Sequence, residues 1–112
     1  MKTPNPPFLN GVPELLILQV LRGTEMYGYE LVQAIRARSD DTIILAEGVV
    51  YPLLHTLERD GALSSRRQTV NGRSRIYYSL TDTGTARLET LSDTWRRLTG
   101  TIESFLGKPR HA

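Results

Sequence analysis

The hydrophobic and polar positions along the chain predict four helices, of which the first is the most apolar. Residues 14–22 are apolar almost all round, so we expect a largely buried first helix that ends at Gly23. Pro13 fits the first turn of that helix. Residues 1–10 include three prolines and are expected to form an extended arm. A second helix is predicted over residues 27–39.

The third helix is predicted by a single apolar stripe within residues 47–60. Four residues fall at positions i, i+3, i+4 and i+7, which is one face of a helix: Val50, Leu53, Leu54 and Leu57. Gly61 is a natural end, because glycine accepts the left-handed conformation that follows many helices. Pro52 is compatible with a helix that begins near Glu47 or Gly48, since the first N–H groups of a helix have no partner within it.

A β-hairpin closed by Asn71 and Gly72 is predicted after the third helix. Asn-Gly is the preferred pair for a type I′ turn, in which both central residues need a positive φ. The return strand alternates Ile76, Tyr78 and Leu80 on one face, as in a half-buried strand. Residues 42–44 are expected to add a short first strand. The predicted fold is mainly α (α+β): a winged helix-turn-helix whose wing is a two- to three-stranded sheet.

The last predicted helix is long and has a narrow apolar stripe. Thr81 or Asp82 can cap it. Spacings of 3, 4, 3, 4 and 3 give the a/d pattern of a coiled coil to six residues: Leu88, Leu91, Trp95, Leu98, Ile102 and Phe105. A helix of about 25 residues is roughly 37 Å long, which is more than a winged domain can cover. We therefore expect a second copy of the chain to cover the stripe; the alternative is an intramolecular core face.

Positive charge is concentrated around the predicted hairpin. Residues 59–80 contain five arginines and one aspartate, a net charge of +4, whereas the whole chain carries +2. A local basic stripe of this kind is the electrostatic footprint of a phosphate-binding surface, and a helix beside it can enter a DNA major groove. Arg73 and Arg75 bracket the turn and are candidate phosphate contacts. Arg66 and Arg67 are weaker candidates, because consecutive strand residues point to opposite faces.

Further candidate DNA contacts lie off the apolar stripe of the third helix. Four residues there are candidates for base edges: Tyr51, Pro52, His55 and Thr56. Tyr51 either contacts DNA or packs on the second helix with its hydroxyl in water. His55 is either a donor that faces the groove or an inert surface histidine. Tyr27, at the start of the second helix, either reaches a phosphate or packs in the core.

Trp95, the only tryptophan, lies in the middle of the long apolar stripe. It is either plain dimer core or a ligand platform, in which an indole from each subunit holds a planar aromatic effector.

Composition excludes several classes of function. The absence of cysteine excludes disulfides and thiolate chemistry. His55 and His111 are far apart in sequence, so we expect no metal site; we also expect no cofactor and no enzymatic activity, since Glu25 and Glu30 stand alone and no Gly-rich phosphate loop is present. The longest apolar runs are too short to span a bilayer, and the first residues lack a signal-peptide core. A cytoplasmic protein without membrane association is the expectation.

Four segments, in their order and spacing, resemble the PadR family of bacterial transcriptional regulators: LLILQVL, MYGYELVQAI, GVVYPLLHTLERDGAL and GRSRIYYSLTDTG. They cover nearly everything from Leu15 to Leu88, and the single C-terminal helix is similar to the short subfamily. The resemblance implies a homodimer that binds a roughly palindromic operator, usually as a repressor. The chain departs from the family at Ala46-Glu47, where many relatives place a small hydroxyl residue or proline.

Taken together, these observations predict a winged helix-turn-helix DNA-binding domain with an N-terminal arm over residues 1–80, and a dimerisation helix and tail over residues 81–112. The expected function is that of a homodimeric, effector-responsive repressor that binds double-stranded operator DNA. The alternatives are a winged-helix module that binds protein and not DNA, and a ligand-binding dimer pore.

Overall fold

The computed structural model describes residues 7–107, which form four helices and a three-stranded antiparallel sheet. In chain order the elements are α1 (Pro7–Val20), β1 (Met26–Tyr27), α2 (Gly28–Arg38), α3 (Glu47–Arg59), β2 (Leu63–Val70), β3 (Arg73–Leu80) and α4 (Asp82–Leu106). The strand order in the sheet is β1-β3-β2. The predicted winged helix-turn-helix with a long C-terminal helix is confirmed.

The core lies where α1, α2 and α3 meet the sheet and the start of α4. Three of the four residues in the apolar stripe predicted for α3, Val50, Leu54 and Leu57, are at 0% exposure. The fourth, Leu53, is half-buried. Buried side chains from the other elements complete this cluster: Ile17, Leu18, Val20, Leu21, Leu31, Ile35, Ala62, Leu63, Tyr78 and Leu88. Within residues 7–107, no helix has both the length and the apolar character needed to cross a membrane.

The beginning of α1 differs from the prediction. The helix starts at Pro7, so the extended arm is wrong for residues 7–10, and residues 1–6 lie outside the described part of the chain. Pro13 is inside the helix and not in its first turn. Local sequence favours a start at Pro13, because proline cannot donate the backbone hydrogen bond of a helix interior. In the additional turns Gly11 lies beside α4, a contact that the local sequence does not encode.

The first strand of the sheet is also different from the prediction. It is β1, in which Met26 and Tyr27 pair with Tyr78 and Tyr77 of β3. Residues 42–44 are not in the sheet, and this prediction is wrong. Asp40 and Asp41 have φ values of 51° and 62°, which turns the backbone away from an extended strand.

The hairpin is formed as predicted. Asn71 and Gly72 have φ values of 51° and 79°, as a type I′ turn requires. Val70 and Arg73 are the last paired residues before the turn, and the pairing continues to Leu63 and Leu80.

Helix α4 is held most closely against the domain near its start. The Thr81 side chain caps it by accepting a hydrogen bond from the Gly84 N–H at 3.0 Å. Farther along, Arg87 donates from Nε to Glu14 Oε2 at 2.6 Å, which ties α4 to α1. Leu88 is 1% exposed, whereas Phe105 near the end of the helix is 90% exposed.

Candidate nucleic-acid interface

The exposed face of α3 lies opposite its buried apolar stripe. Pro52 and His55 are exposed there, one helical turn apart. Thr56 is half-buried at the edge of this face and accepts a hydrogen bond from Arg59 Nη2 at 3.4 Å. Arg59 is itself exposed on the same face. Arg59 is not among the site residues predicted from the sequence; its spacing of four residues from His55 is the signal that places both on one face of a helix.

Tyr51 links α3 to the beginning of α2. Its side chain is 37% exposed. A Cβ built on Gly28 would lie 2.7 Å from the Tyr51 hydroxyl, so the absence of a side chain at Gly28 makes room for the tyrosine. Tyr51 therefore packs on the second helix and remains partly open to solvent. The two alternatives from the sequence, packing and DNA contact, are compatible in this position.

The N-terminus of α3 has no side-chain cap. Ala46 occupies the N-cap position and makes no capping hydrogen bond, and the exposed Glu47 follows in the first turn. Alanine has no side-chain acceptor, so the first-turn N–H groups of α3 receive no cap from position 46. Gly48, the next residue, is exposed, and a Cβ at this position would meet nothing within 4 Å. Packing within the described chain therefore does not require glycine at position 48.

The register of the wing places most of its cations on one face. Arg66 pairs with Tyr77, and Tyr27 of β1 pairs with Tyr77 from the other side. Alternation along β3 puts Arg75 and Arg73 on this same face. We call this set the outer face of the wing: Tyr27, Arg66, Arg73, Arg75 and Tyr77. Arg67 pairs with Ile76 on the opposite face, as expected for consecutive residues of a strand.

Aromatic rings order two of the arginines on the outer face. The Arg75 guanidinium carbon lies 4.4 Å from the centre of the Tyr27 ring, and that of Arg66 lies 5.0 Å from the Tyr77 ring. The two rings meet edge to face, with their centres 5.5 Å apart. A guanidinium that lies over an aromatic ring is attracted to it, and the N–H groups at the edge of the guanidinium remain available as hydrogen-bond donors. Tyr27 thus packs against the Tyr77 ring and also lies beside the arginines of the outer face. Arg73 is exposed near the turn.

Two glutamates that stand alone in the sequence have partners in the fold. Glu30 Oε1 accepts a hydrogen bond from the Tyr27 backbone N–H at 3.2 Å. Glu25 forms an ion pair with Arg66. The Arg66 guanidinium donates hydrogen bonds to the Glu25 carboxylate, which lowers the pKa of that carboxyl. Arg66 follows Glu25 by 41 residues, so no local pattern connects them.

A cavity of about 200 Å³ lies between α1, α2 and the segment that follows α2. Its walls are mainly apolar, from Leu16, Val20, Ile35 and Ile43. Trp95 is not part of its lining. The Trp95 indole instead faces the start of α1, where a Cβ on Gly11 would lie 3.7 Å from its Nε1.

With this geometry established, comparison with known proteins identifies the family. The sequence model of the transcriptional regulator PadR-like family matches residues 17–90, which include α2, α3 and the whole wing. The chain belongs to the PadR-like family of transcriptional regulators. The family's proteins are DNA-binding regulators and not enzymes, as the sequence predicted.

Individual relatives agree in sequence and in fold. Over 81 residues the chain is 36% identical to the transcriptional regulator Rv3488 of Mycobacterium tuberculosis, covering 72% of this chain and 73% of that protein. A PadR family transcription regulator from Clostridium difficile R20291 is 31% identical, with a TM-score of 0.73 over 87% of this chain and 100% of the other. A transcriptional regulator from Clostridium thermocellum is 25% identical, with a TM-score of 0.80 over 89% and 97% of the two chains.

Proposed function

We propose that this PadR-like regulator is a homodimeric repressor that reads operator DNA with α3 and binds the flanking phosphates with the outer face of the wing. One observation carries the proposal. Tyr51 of α3 packs on Gly28, the neighbouring residue Tyr27 lies under the Arg75 guanidinium, and so the exposed face of α3 is continuous with the basic outer face. As a DNA-binding regulator, the protein would act in the cytoplasm.

The proposed division of roles follows from position and chemistry. Tyr51, Pro52 and His55 are on the exposed face of α3 and are the candidates for base edges in the major groove. Thr56 would contribute less to base contacts, because it is half-buried and already accepts a hydrogen bond from Arg59. Arg73 is the most accessible phosphate contact.

Tyr27 and Arg75 would act as one unit in phosphate binding. The Tyr27 ring holds the Arg75 guanidinium in a fixed place, so less side-chain freedom is lost when a phosphate binds. We therefore assign the phosphate contact of this pair to the arginine and its placement to the tyrosine.

Helix α4 supports the proposal of a homodimer. Its distal half presents Ile102, Phe105 and Leu106 at 44%, 90% and 73% exposure. Large apolar side chains in such a row favour a protein partner, and residues 81–112 would form the dimerisation segment beside a DNA-binding domain of residues 1–80. A dimer would present two copies of α3 about one DNA turn apart, roughly 34 Å.

Trp95 is the proposed site of an effector. It lies between the buried start and the exposed end of α4, and it is half-buried. A planar aromatic molecule held between two indoles, one from each protomer, would change the distance between the two copies of α3. DNA affinity would then change by the difference between the effector's affinities for the two spacings.

The salt dependence of binding tests the wing. Arg73→Ala should weaken binding to operator and random duplex alike and reduce the salt slope by about 0.9 per lost phosphate contact. Arg67→Ala is the matched control, because Arg67 lies on the opposite face and donates to Ser74 Oγ at 3.0 Å. Anisotropy titrations over a series of salt concentrations give the slopes. Equal slopes for wild type and Arg73→Ala would remove the wing from DNA binding, and a wild type without salt-sensitive binding would favour a protein-interaction module.

The ratio of specific to random affinity tests α3. His55→Ala or Tyr51→Ala should reduce the preference for the operator, which footprinting on the protein's own promoter would locate. A base contact contributes about 1–3 kcal/mol of discrimination. If neither variant changes the ratio, these residues do not read bases.

A further inference from the structure

The outer face of the wing contains one arginine whose charge is already matched. Arg66 donates from Nε to the two carboxylate oxygens of Glu25 at 2.9 and 3.1 Å, and its Nη2 donates to Oε1 as well. The guanidinium also lies over the Tyr77 ring. Arg66 is thus held from two sides, by a carboxylate and by an aromatic ring.

This arrangement occupies the N–H groups with which an arginine binds phosphate. Arginine recognises carboxylate and phosphate with the same planar fork of donors, so Glu25 takes the position that a phosphate would need. The pair is open to solvent, with side-chain exposures of 50% for Arg66 and 39% for Glu25. A glutamate carboxyl is ionised at neutral pH, and the hydrogen bond from Arg66 lowers the pKa of Glu25 further. The pair therefore presents no net charge to DNA at neutral pH.

The neighbouring arginines of the outer face differ in this respect. Arg75 is ordered by the ring of Tyr27, and Arg73 is exposed near the turn. Among residues 7–107, neither forms an ion pair with a carboxylate within 4 Å. Three arginines thus share one face, and a glutamate from another part of the chain neutralises one of them.

We propose that Glu25 limits the sequence-independent affinity of the wing for DNA by holding Arg66 away from phosphate. Glu25 is a positioning residue in this proposal, since it acts through Arg66. The inference rests on the proposed contact between the outer face and DNA. Its consequence is that binding to random DNA is weaker than the number of arginines on this face implies, which leaves base contacts from α3 a larger share of the total affinity.

The test compares three variants of the full chain with wild type on a random duplex. In Glu25→Gln the carboxylate charge is lost and Arg66 becomes available. The salt slope should therefore become steeper by about 0.9 per protomer, with tighter binding at low salt. Glu30→Gln is the control, because it removes an equal charge nearby while its side chain can still accept from the Tyr27 N–H. The double variant Glu25→Gln/Arg66→Gln should return to the wild-type slope.

The outcomes separate this inference from the proposed function. A slope for Glu25→Gln equal to that of wild type overturns the inference, provided that circular dichroism shows a folded variant and Arg73→Ala lowers the slope. An equally steep slope in the double variant also overturns it, because the effect would then come from the lost negative charge and not from Arg66. If Arg73→Ala leaves the slope unchanged, the proposed function of the wing fails instead.

Discussion

The two halves of α4 follow one spacing pattern but meet different surroundings. Near its start, Leu88 is 1% exposed, whereas Ile102 and Phe105 are 44% and 90% exposed. The stripe is continuous in sequence, with Leu91, Trp95 and Leu98 half-buried between these ends. Helical spacing thus determines which side chains share a face, but it does not determine what covers that face.

The difference arises from contacts made by the rest of the chain. The start of α4 touches α1 through the Glu14–Arg87 ion pair, and Arg87 also reaches Asp60 Oδ2 at 3.3 Å. The hydrogen bonds to Glu14 and Asp60 raise the pKa of Arg87 above its ordinary value. The distal half extends past the domain, and the molecule measures 60 × 33 × 31 Å along its principal axes. The following experiments change one half of α4 and leave the other intact.

The largest effect is expected for Leu98→Asp, which tests whether a second copy covers the distal half. In the proposed dimer the change places a carboxylate from each protomer in an apolar seam, and the effective penalty is several kcal/mol per buried ion. We expect a monomer that no longer binds the operator, measured by light scattering and gel shift. Thr101→Asp adds the same charge at an exposed position and should remain dimeric. A monomeric wild type would contradict the homodimer.

Leu88→Ala should come next, since it removes a buried side chain from the half that is packed on the domain. The free energy of unfolding should fall by about 2–5 kcal/mol, as for other leucines truncated in a core. Urea denaturation at matched protein concentration measures this loss. Glu103→Ala is the control, because Glu103 is exposed in the distal half and is not part of its apolar row. Equal losses of unfolding free energy for the two variants would mean that the start of α4 is not packed more closely on the domain than the distal half.

A pair of glycine variants gives opposite signs in the two halves. A Cβ on Gly84 would overlap the carbonyl oxygen of Ala62, so Gly84→Ala should lower the free energy of unfolding by about 1–3 kcal/mol. A Cβ on Gly100 would meet nothing within 4 Å. Gly100→Ala should therefore raise it by up to about 1 kcal/mol through helix propensity. Thermal denaturation of the two variants and of wild type measures both changes in stability. Destabilisation by Gly100→Ala would show that the distal helix has a close neighbour at that position.

The smallest effect on assembly is expected for Trp95→Ala, at the boundary between the halves. The variant should still form a dimer and bind DNA, but its DNA affinity should respond less to planar aromatic compounds. Titration of the DNA complex with such compounds measures the response. An undiminished response in Trp95→Ala would exclude the tryptophan as the effector site.

Several features of this protein were predictable because their causes are local. The buried stripe of α3 follows from the spacing of Val50, Leu54 and Leu57, and a period of 3.6 residues is a property of any helix. The hairpin follows from Asn71-Gly72, since few other pairs accept two positive φ values. The position of Tyr51, off that stripe, was also readable from spacing.

Other features depended on residues that are distant in sequence, so the tertiary structure decided them. Strand β1 forms because Met26 and Tyr27 pair with β3, about 50 residues later in the chain, and no local signal distinguishes them from residues 42–44. Glu25 looks unpartnered until the fold brings Arg66 to it. The sequence by itself determined the number and order of the helices, the hairpin and its excess of positive charge, through periodicity and turn chemistry. The tertiary structure decided which arginine is neutralised and which half of α4 is covered, because both depend on the proximity of elements that no local pattern encodes.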